Sequence, residues 1–488
     1  MKKIFLICSI FLLALIVAFR FYISNNMVFK ENIITQKEFD KIISSREEYK
    51  EFLELKFNNN LLPYDKIHNY FLLSQVENEN NYNGAISIDN FEIDVLETNT
   101  SKDEIIVNND SLVLLAYNNE YYKIINLKLT YFPVMKLDNY LDEMTIYEND
   151  DERSVLSIQN HKMEYHIRGA STAGSAKPSY KLNILNSKGN KKKVTLLNMR
   201  EDDDWILNSM TTDRSYMLEK IGYDLYSKMN EYQIEMKYIE LFIDNEYKGI
   251  YCLQEPADFK TYNANKNKSL LVSIKGWPVK ENSILYNSDL QYNILIDEFE
   301  LDSKMEEKQQ IEILRKFVSD LRGKNYSSNI VFDYDVDSFV NHTLFLNMIS
   351  AIDNIYKNQK ILFRYSDGKY IVESHPWDLD RSQNNENIML EENFLKIVEN
   401  VAVPKMIYNS EEYKQKLKDR YFELRKSIYN REYIDSLIDA NKNELEKSGA
   451  ILREEMRWGD RDLDYSTQNI KDFYSKKIEL LDGYYGGI

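Results

Sequence analysis

The chain has 488 residues, is 43% hydrophobic and 29% charged, and carries a net charge of −17. These values exclude a disordered chain and leave room for two or three folded units. So acidic a balance excludes general binding to nucleic-acid phosphates, which needs an excess of Lys and Arg to release counterions. It fits neutral or basic partners, or plain solubility.

The N-terminus, "MKKIFLICSIFLLALIVAFRFYISNN", places Lys2 and Lys3 before an apolar run from Ile4 to Phe19. That is the pattern of an export signal. Phe21, Tyr22 and Ile23 extend the run past Arg20, which could snorkel, and no small-x-small cleavage site follows. Residues 1–24 are therefore expected to be an uncleaved signal anchor, with a cleaved signal peptide as the alternative. The lysines stay inside, so the rest of the chain faces out as a single-pass extracellular protein, or is secreted if the signal is cleaved. Cys8 lies in the apolar run and Cys252 is the only other cysteine, so no intrachain disulfide is expected outside the membrane.

Residues 25–60 read as a polar helical stalk, with Phe39, Ile42, Ile43, Tyr49 and Phe52 near helical spacing. Residues 61–125 read as a small β-rich accessory region broken by Asn/Asp turns. From residue 126 the pattern changes. "MEYHIRGASTAGSAKPSYKLNIL" reads as strand, small-residue loop and strand. "DRSYMLEKIGYDLYSKM" reads as a helix capped by Asp213, with a stripe of Leu218, Ile221, Leu225 and Met229. "KYIELFIDNEYKGIYCLQE" reads as a hairpin about an Asp-Asn turn. Helices near 306–322 and 337–352 follow, the second apolar on most sides and so buried. A second hairpin, "KILFRYSDGKYIVES", leads into "HPWDLDRS", and the tail from about 411 to 485 reads as mostly helical.

Asp-x-Asp is common here: it occurs at 202/204, 333/335, 335/337, 378/380, 460/462 and 462/464. Position separates Asp378 and Asp380 from the rest. Upstream, "DNIYKN" holds Asp353 and Asn358 five residues apart, the spacing of a protein-kinase catalytic loop. There the Asp orients the acceptor hydroxyl and accepts its proton, and the Asn holds one of two metal ions. A hairpin then returns the chain to a second metal-binding Asp, here Asp378. The N-terminal half follows the same order. The loop opened by Arg168 offers backbone N–H groups to phosphates. Lys177 or Lys181 could pair with them, Glu219 could orient that lysine, and an adenine could rest at a hinge near Glu255. His375, one of five histidines, reads as a partly buried loop residue, and no His-based metal spacing is present.

The blocks "YHIRGASTAGSAKPSYKLNI", "DDDWILNSMTTDRSYMLEKIGYDL", "YIELFIDNEYKGIYCLQE" and "PWDLD" resemble the CotH kinases, a family named for the inner spore coat protein H. The resemblance spans about residues 126–480. It implies an α+β, bilobal protein-kinase-like fold over 126–488. It also implies ATP-dependent phosphorylation of Ser on surface or spore-coat-type proteins with Mg²⁺ or Mn²⁺. Carried over by motif, Asp353 is catalytic, Asp378, Asn358 and Asp380 hold metal, and Lys181, Lys177, Arg168, Glu219 and Glu255 serve the nucleotide. Two departures stand out: Leu218-Glu219 replaces the family's Arg-Asn pair, and "RSQNN" replaces a Phe-Gly after "WDLD". The implied alternative is a non-catalytic pseudokinase that binds or attaches at a surface. A glycosyltransferase using Asp378 and Asp380 would need a parallel strand before them, where the sequence predicts an antiparallel hairpin.

Overall fold

The computed structural model describes residues 32–74, 85–96, 111–150, 155–169, 173–232, 234–275, 299–321, 323, 326–355, 357–383, 392–401, 403–459, 464 and 466–486. The expected anchor, residues 1–24, lies outside them. Among the described residues no helix is long and apolar enough to cross a membrane.

The stalk expected over 25–60 is not one helix. Asn32–Ile34 is a strand, paired parallel with Glu92–Leu96, and among the described residues of that stretch the only helix is Gln36–Ser44. Thr35 starts this helix with a capping box to Glu38, and Phe39 packs against Ile34 and Leu115. Tyr49 and Phe52, which suggested further helical turns, make ring contacts with Phe91, Tyr121, Tyr64 and Phe71. Aromatic side chains spaced for a helix are thus spent on a sheet. The accessory unit is a seven-stranded sheet that takes in both the supposed stalk and the β-rich region, and its strand Tyr121–Thr130 runs through the expected boundary at 125/126.

A closed seven-stranded barrel follows. Its strands are Val134–Asp138, Glu143–Asp150, Val155–Arg168, Ser179–Leu185, Asp204–Asn208, Met236–Ile243 and Glu246–Gln254, and the parallel pairing of Val134–Leu137 with Glu240–Ile243 closes it. Alternation sorts each strand: Tyr180, Leu182 and Ile184 join Trp205, Leu207 and Leu253 in the barrel core, and Lys181 points to the other face. The expected hairpin 237–254 turns at Asp244-Asn245, both with positive φ, as a two-residue type I′ loop requires.

Beyond the barrel, a five-stranded sheet runs in the order Phe299–Asp302, Leu270–Ile274, Gln359–Ser366, Lys369–Pro376 and Phe332–Tyr334. Helix Val336–Ile349 packs on it and is buried over most of its length, as its apolar composition predicted. Two of its polar residues are partly matched internally: His342 Nδ1 meets Ser374 Oγ at 2.6 Å, and Asn347 donates to Tyr485 Oη at 3.0 Å, while His342 Nε2 and Asn347 Oδ1 have no hydrogen-bond partner among the described residues. Helices Glu411–Arg425, Arg431–Ser448 and Gln468–Gly486 complete this half.

Helix Leu218–Tyr226 links the two bodies. It starts five residues after the expected cap, because the Asp213 carboxylate first takes the N–H groups of Ser215 and Leu218, both at 2.7 Å. Its Gly222 is needed for space: a Cβ there would lie 2.9 Å from Leu379 Cδ1. Helix Ala450–Trp458 ties the C-terminal half to the barrel through two buried ion pairs. Arg453 meets Glu240 with two contacts of 2.7 Å, and Glu454 meets Lys177 at 2.8 Å.

Candidate functional site

The site begins where helix Val336–Ile349 ends. Ser350 takes the left-handed conformation, and the chain folds into the short 3-10 turn Asp353–Ile355. Asn354 is buried and donates to the carbonyls of Asn358 and Trp377, at 2.8 and 2.6 Å. Trp377 N–H in turn donates to Asn358 O at 3.0 Å. The hairpin Gln359–Ser366/Lys369–Pro376 is in register from Gln359 to Pro376, so it delivers Asp378 beside Asn358. Both residues have positive φ, 58° and 54°. Asp and Asn tolerate that region better than other side chains, and such backbone gathers at functional sites.

The loop after Asp378 is anchored firmly. Leu379 is fully buried, Tyr223 Oη accepts the Asp378 N–H at 3.1 Å, and Gln383 donates to Leu218 O at 2.6 Å. Ser382 and Gln383 thus tie the end of this loop down: Ser382 Oγ donates to Leu379 O at 2.8 Å and Gln383 N–H to Ile349 O at 2.6 Å.

Two cavities meet here. The larger, ≈ 1710 Å³, lies between the barrel and the five-stranded sheet, and its wall includes Arg168, Lys181, Glu219, Lys360 and Trp377. The smaller, ≈ 1000 Å³, includes Asp353, Arg381 and Gln383. Asp378, Asp380, Lys357 and Thr212 belong to both walls.

The electrostatics at the junction are unusual. Burial, with the charges of Asp378 and Asp380, pushes the Glu219 carboxyl up to about 8. Burial and the charges of Asp378 and Asp353 push Asp380 up to about 6. Asp378 is also raised by burial, against the pull of Arg168 and Lys357. Carboxylates that repel one another in a cleft mark a site built for a cationic or proton-bearing partner. Across the larger cavity, burial lowers Lys360 to about 8; its ammonium donates to Ser273 Oγ at 2.6 Å and lies 5.3 Å from the Trp377 ring centre. The Arg168 guanidinium lies 5.5 Å from the same ring.

Asp353, Asn358, Asp378, Asp380, Arg168, Lys181 and Glu219 are thus gathered around the joined cavities. Two of the expected residues are not. Lys177 is fully buried in the clamp, bonded to Glu454, Tyr216 Oη and Ile250 O, so it faces no cavity. Glu255 accepts from the N–H groups of Arg200 and Glu235, both at 3.1 Å; it props the hinge, and the following residues, Pro256–Lys260, line the cleft. Glu219 has another partner than the expected lysine: it accepts from Asn208 at 2.7 Å. Of the loop opened by Arg168, residues 170–172 lie outside the described ones.

Lys360, Trp377, Lys357 and Thr212 were not singled out by sequence reasoning. Lys360 had a readable signal, a lysine inside the apolar strand "KILF" two residues after Asn358. The others are assembled only by folding.

Among the described residues no three carboxylate, imidazole or thiolate groups converge in metal-ligating positions. The donor set still suits Mg²⁺, which is usually held by one or two carboxylates, with water and substrate phosphates completing the octahedron. Asp378, Asp380 and the Asn358 amide supply that number of oxygens.

A family model described as CotH kinase protein matches residues 165–481, most of the chain. No curated protein matches the chain. The match takes in the small-residue loop, the linking helix, both hairpins and the Asp378 loop, and so the chain belongs to the CotH kinase family.

Proposed function

We propose that this protein transfers the γ-phosphoryl group of ATP to a Ser hydroxyl on a surface or spore-coat-type protein, within a kinase-like two-body arrangement. The observation that carries the reading is the shared wall: Asp378 and Asp380 stand between a cleft rich in cations and a cavity that holds Asp353. The larger cavity takes the nucleotide. Lys181, Lys360 and Arg168 face its phosphates, and Trp377 offers a flat apolar surface. Mg²⁺ or Mn²⁺ held by Asp378, Asp380 and Asn358 would neutralise phosphate charge. Asp353 orients the Ser hydroxyl and accepts its proton as the new P–O bond forms and the bond to the β-phosphate bridge breaks. Residues 1–24 would keep this domain at the outer face of a membrane, or release it if cleaved.

A pseudokinase that binds at a surface is the second reading, and one observation favours it. The Asp353 carboxylate is already held by Lys357, at 2.8 Å. In an active enzyme this pair must loosen, or leave one carboxylate oxygen to the hydroxyl. Incubating the purified protein with radiolabelled ATP and Mg²⁺, beside a thermal-shift titration, separates the readings. A shift with phosphate transfer supports the kinase, a shift without transfer supports the pseudokinase, and no shift at millimolar ATP removes nucleotide from both.

A further inference from the structure

Asp378 lies two residues past the strand Lys369–Pro376, so no neighbouring strand takes its backbone N–H. That N–H has one acceptor among the described residues, Tyr223 Oη on helix Leu218–Tyr226, at 3.1 Å. We propose that Tyr223 is a positioning residue for metal binding: its hydroxyl fixes the left-handed backbone of Asp378, and with it the direction of the carboxylate. This rests on the reading above, in which Asp378 holds the metal.

Several contacts join this helix and the Asp378 loop into one unit. Leu218 O accepts from Gln383 at the far end of the loop, at 2.6 Å. Gly222 lies so close to the fully buried Leu379 that a Cβ would come within 2.9 Å of it. Just ahead of the helix, Thr212 donates to Asp380 Oδ2 at 3.3 Å. The peptide before Asp378 is held from the other half: Asn354 donates to Trp377 O at 2.6 Å, and Trp377 N–H donates to Asn358 O at 3.0 Å. Asp378 is thus gripped from two directions, by Asn354 and Asn358 through the preceding residue and by Tyr223 at its own N–H. Its φ of 58° needs such a grip, because a side-chain-bearing residue keeps that conformation only where its surroundings over-determine it. Tyr223 is 2% exposed, so water does not stand in for its hydroxyl while helix and loop stay packed. Without the hydroxyl the N–H would be buried and unmet, and the turn would relax to satisfy it. Groups that orient a metal ligand without touching the metal change its affinity by about 10–100-fold.

The test uses the full chain and Mn²⁺, with binding read from the electron paramagnetic resonance signal of the free ion. Tyr223→Phe removes only the hydroxyl and should weaken Mn²⁺ binding about 10–100-fold. Tyr226→Phe is the control. It lies on the same helix and is also buried, but its hydroxyl meets His375 Nδ1, at 3.2 Å, and not the loop. Both variants should lose a similar few degrees of Tm, while Tyr226→Phe keeps wild-type Mn²⁺ affinity, which separates positioning from stability. Wild-type affinity in folded Tyr223→Phe, or an equal loss in the two variants, would overturn the inference and leave the kinase reading standing. Undiminished binding by Asp378→Asn, or no binding by wild type, would remove both.

Discussion

Two regions of this molecule bury charge, and they do so in opposite ways. In the clamp, Arg453 meets Glu240 and Glu454 meets Lys177, and every one of these side chains is at most 1% exposed. The carboxylates there are surrounded by donors: Glu454 takes the Lys177 ammonium, the Tyr216 hydroxyl and the Ile250 N–H. Gly249, with φ of 102°, leaves room for this, since a Cβ at that position would run into Glu454 Oε2. At the cavity junction, by contrast, Glu219, Asp378 and Asp380 face one another, and each carboxyl is raised. Both arrangements desolvate ions, but only the first repays that loss within the chain. The second leaves charge to be matched by something that binds. Pairing, rather than burial alone, separates a structural charge from a functional one.

Six substitutions press on that contrast. The largest effect belongs to the junction. Asp378→Asn keeps a side chain that accepts positive φ but removes the charge; Asp353→Ala removes the proposed base. Each should lower phosphate transfer from ATP by about 10³-fold or more, with Tm within a degree or two of wild type. Transfer surviving in both would detach the reaction from this site.

Next comes the clamp. Glu454→Ala leaves the Lys177 ammonium buried without its carboxylate, so unfolding in urea should show a loss of about 3–5 kcal/mol. Loss of only a few tenths would mean that the pair is solvated, and the contrast would blur. A further pair of variants compares lysines. Lys360→Met should weaken ATP binding about tenfold in calorimetry, on the scale of one charged contact, and leave stability nearly intact. Lys177→Met should do the reverse.

The smallest effect is a pH dependence. Glu219 has a folded value above its unfolded one, so the folded state holds more protons. Its contribution to stability is full below the unfolded value and is lost as pH rises through about 8. Without metal, Glu219→Gln should therefore raise Tm at pH 8 by on the order of 2 °C. The gain should vanish near pH 4, where the carboxyl is protonated in both states. An equal gain at both values would point to packing instead of charge.

Much of the C-terminal half was legible in advance. Asp353, Asn358 and Asp378 were placed together by a buried helix, a five-residue spacing and a hairpin, and that local order fixes where the chain returns. Lys177 and Lys181 could not be separated in the same way. They are four residues apart on one loop and strand, and only the arrival of helix Ala450–Trp458, far along the chain, commits Lys177 to the barrel clamp. The N-terminal stretch misled for a related reason. Phe39, Ile42 and Ile43 form one amphipathic turn, while Tyr49 and Phe52 continue the spacing by accident and pack as sheet aromatics.

By itself the sequence determined the hairpins, the buried helix and the residues proposed to carry phosphotransfer, because turn chemistry and apolar periodicity act over a few residues. Tertiary structure alone decided the closed barrel, the clamp, the meeting of two cavities at Asp378 and Asp380, and the raised carboxyl of Glu219. Each of these depends on which distant charges share a desolvated space, and periodicity carries no information about that.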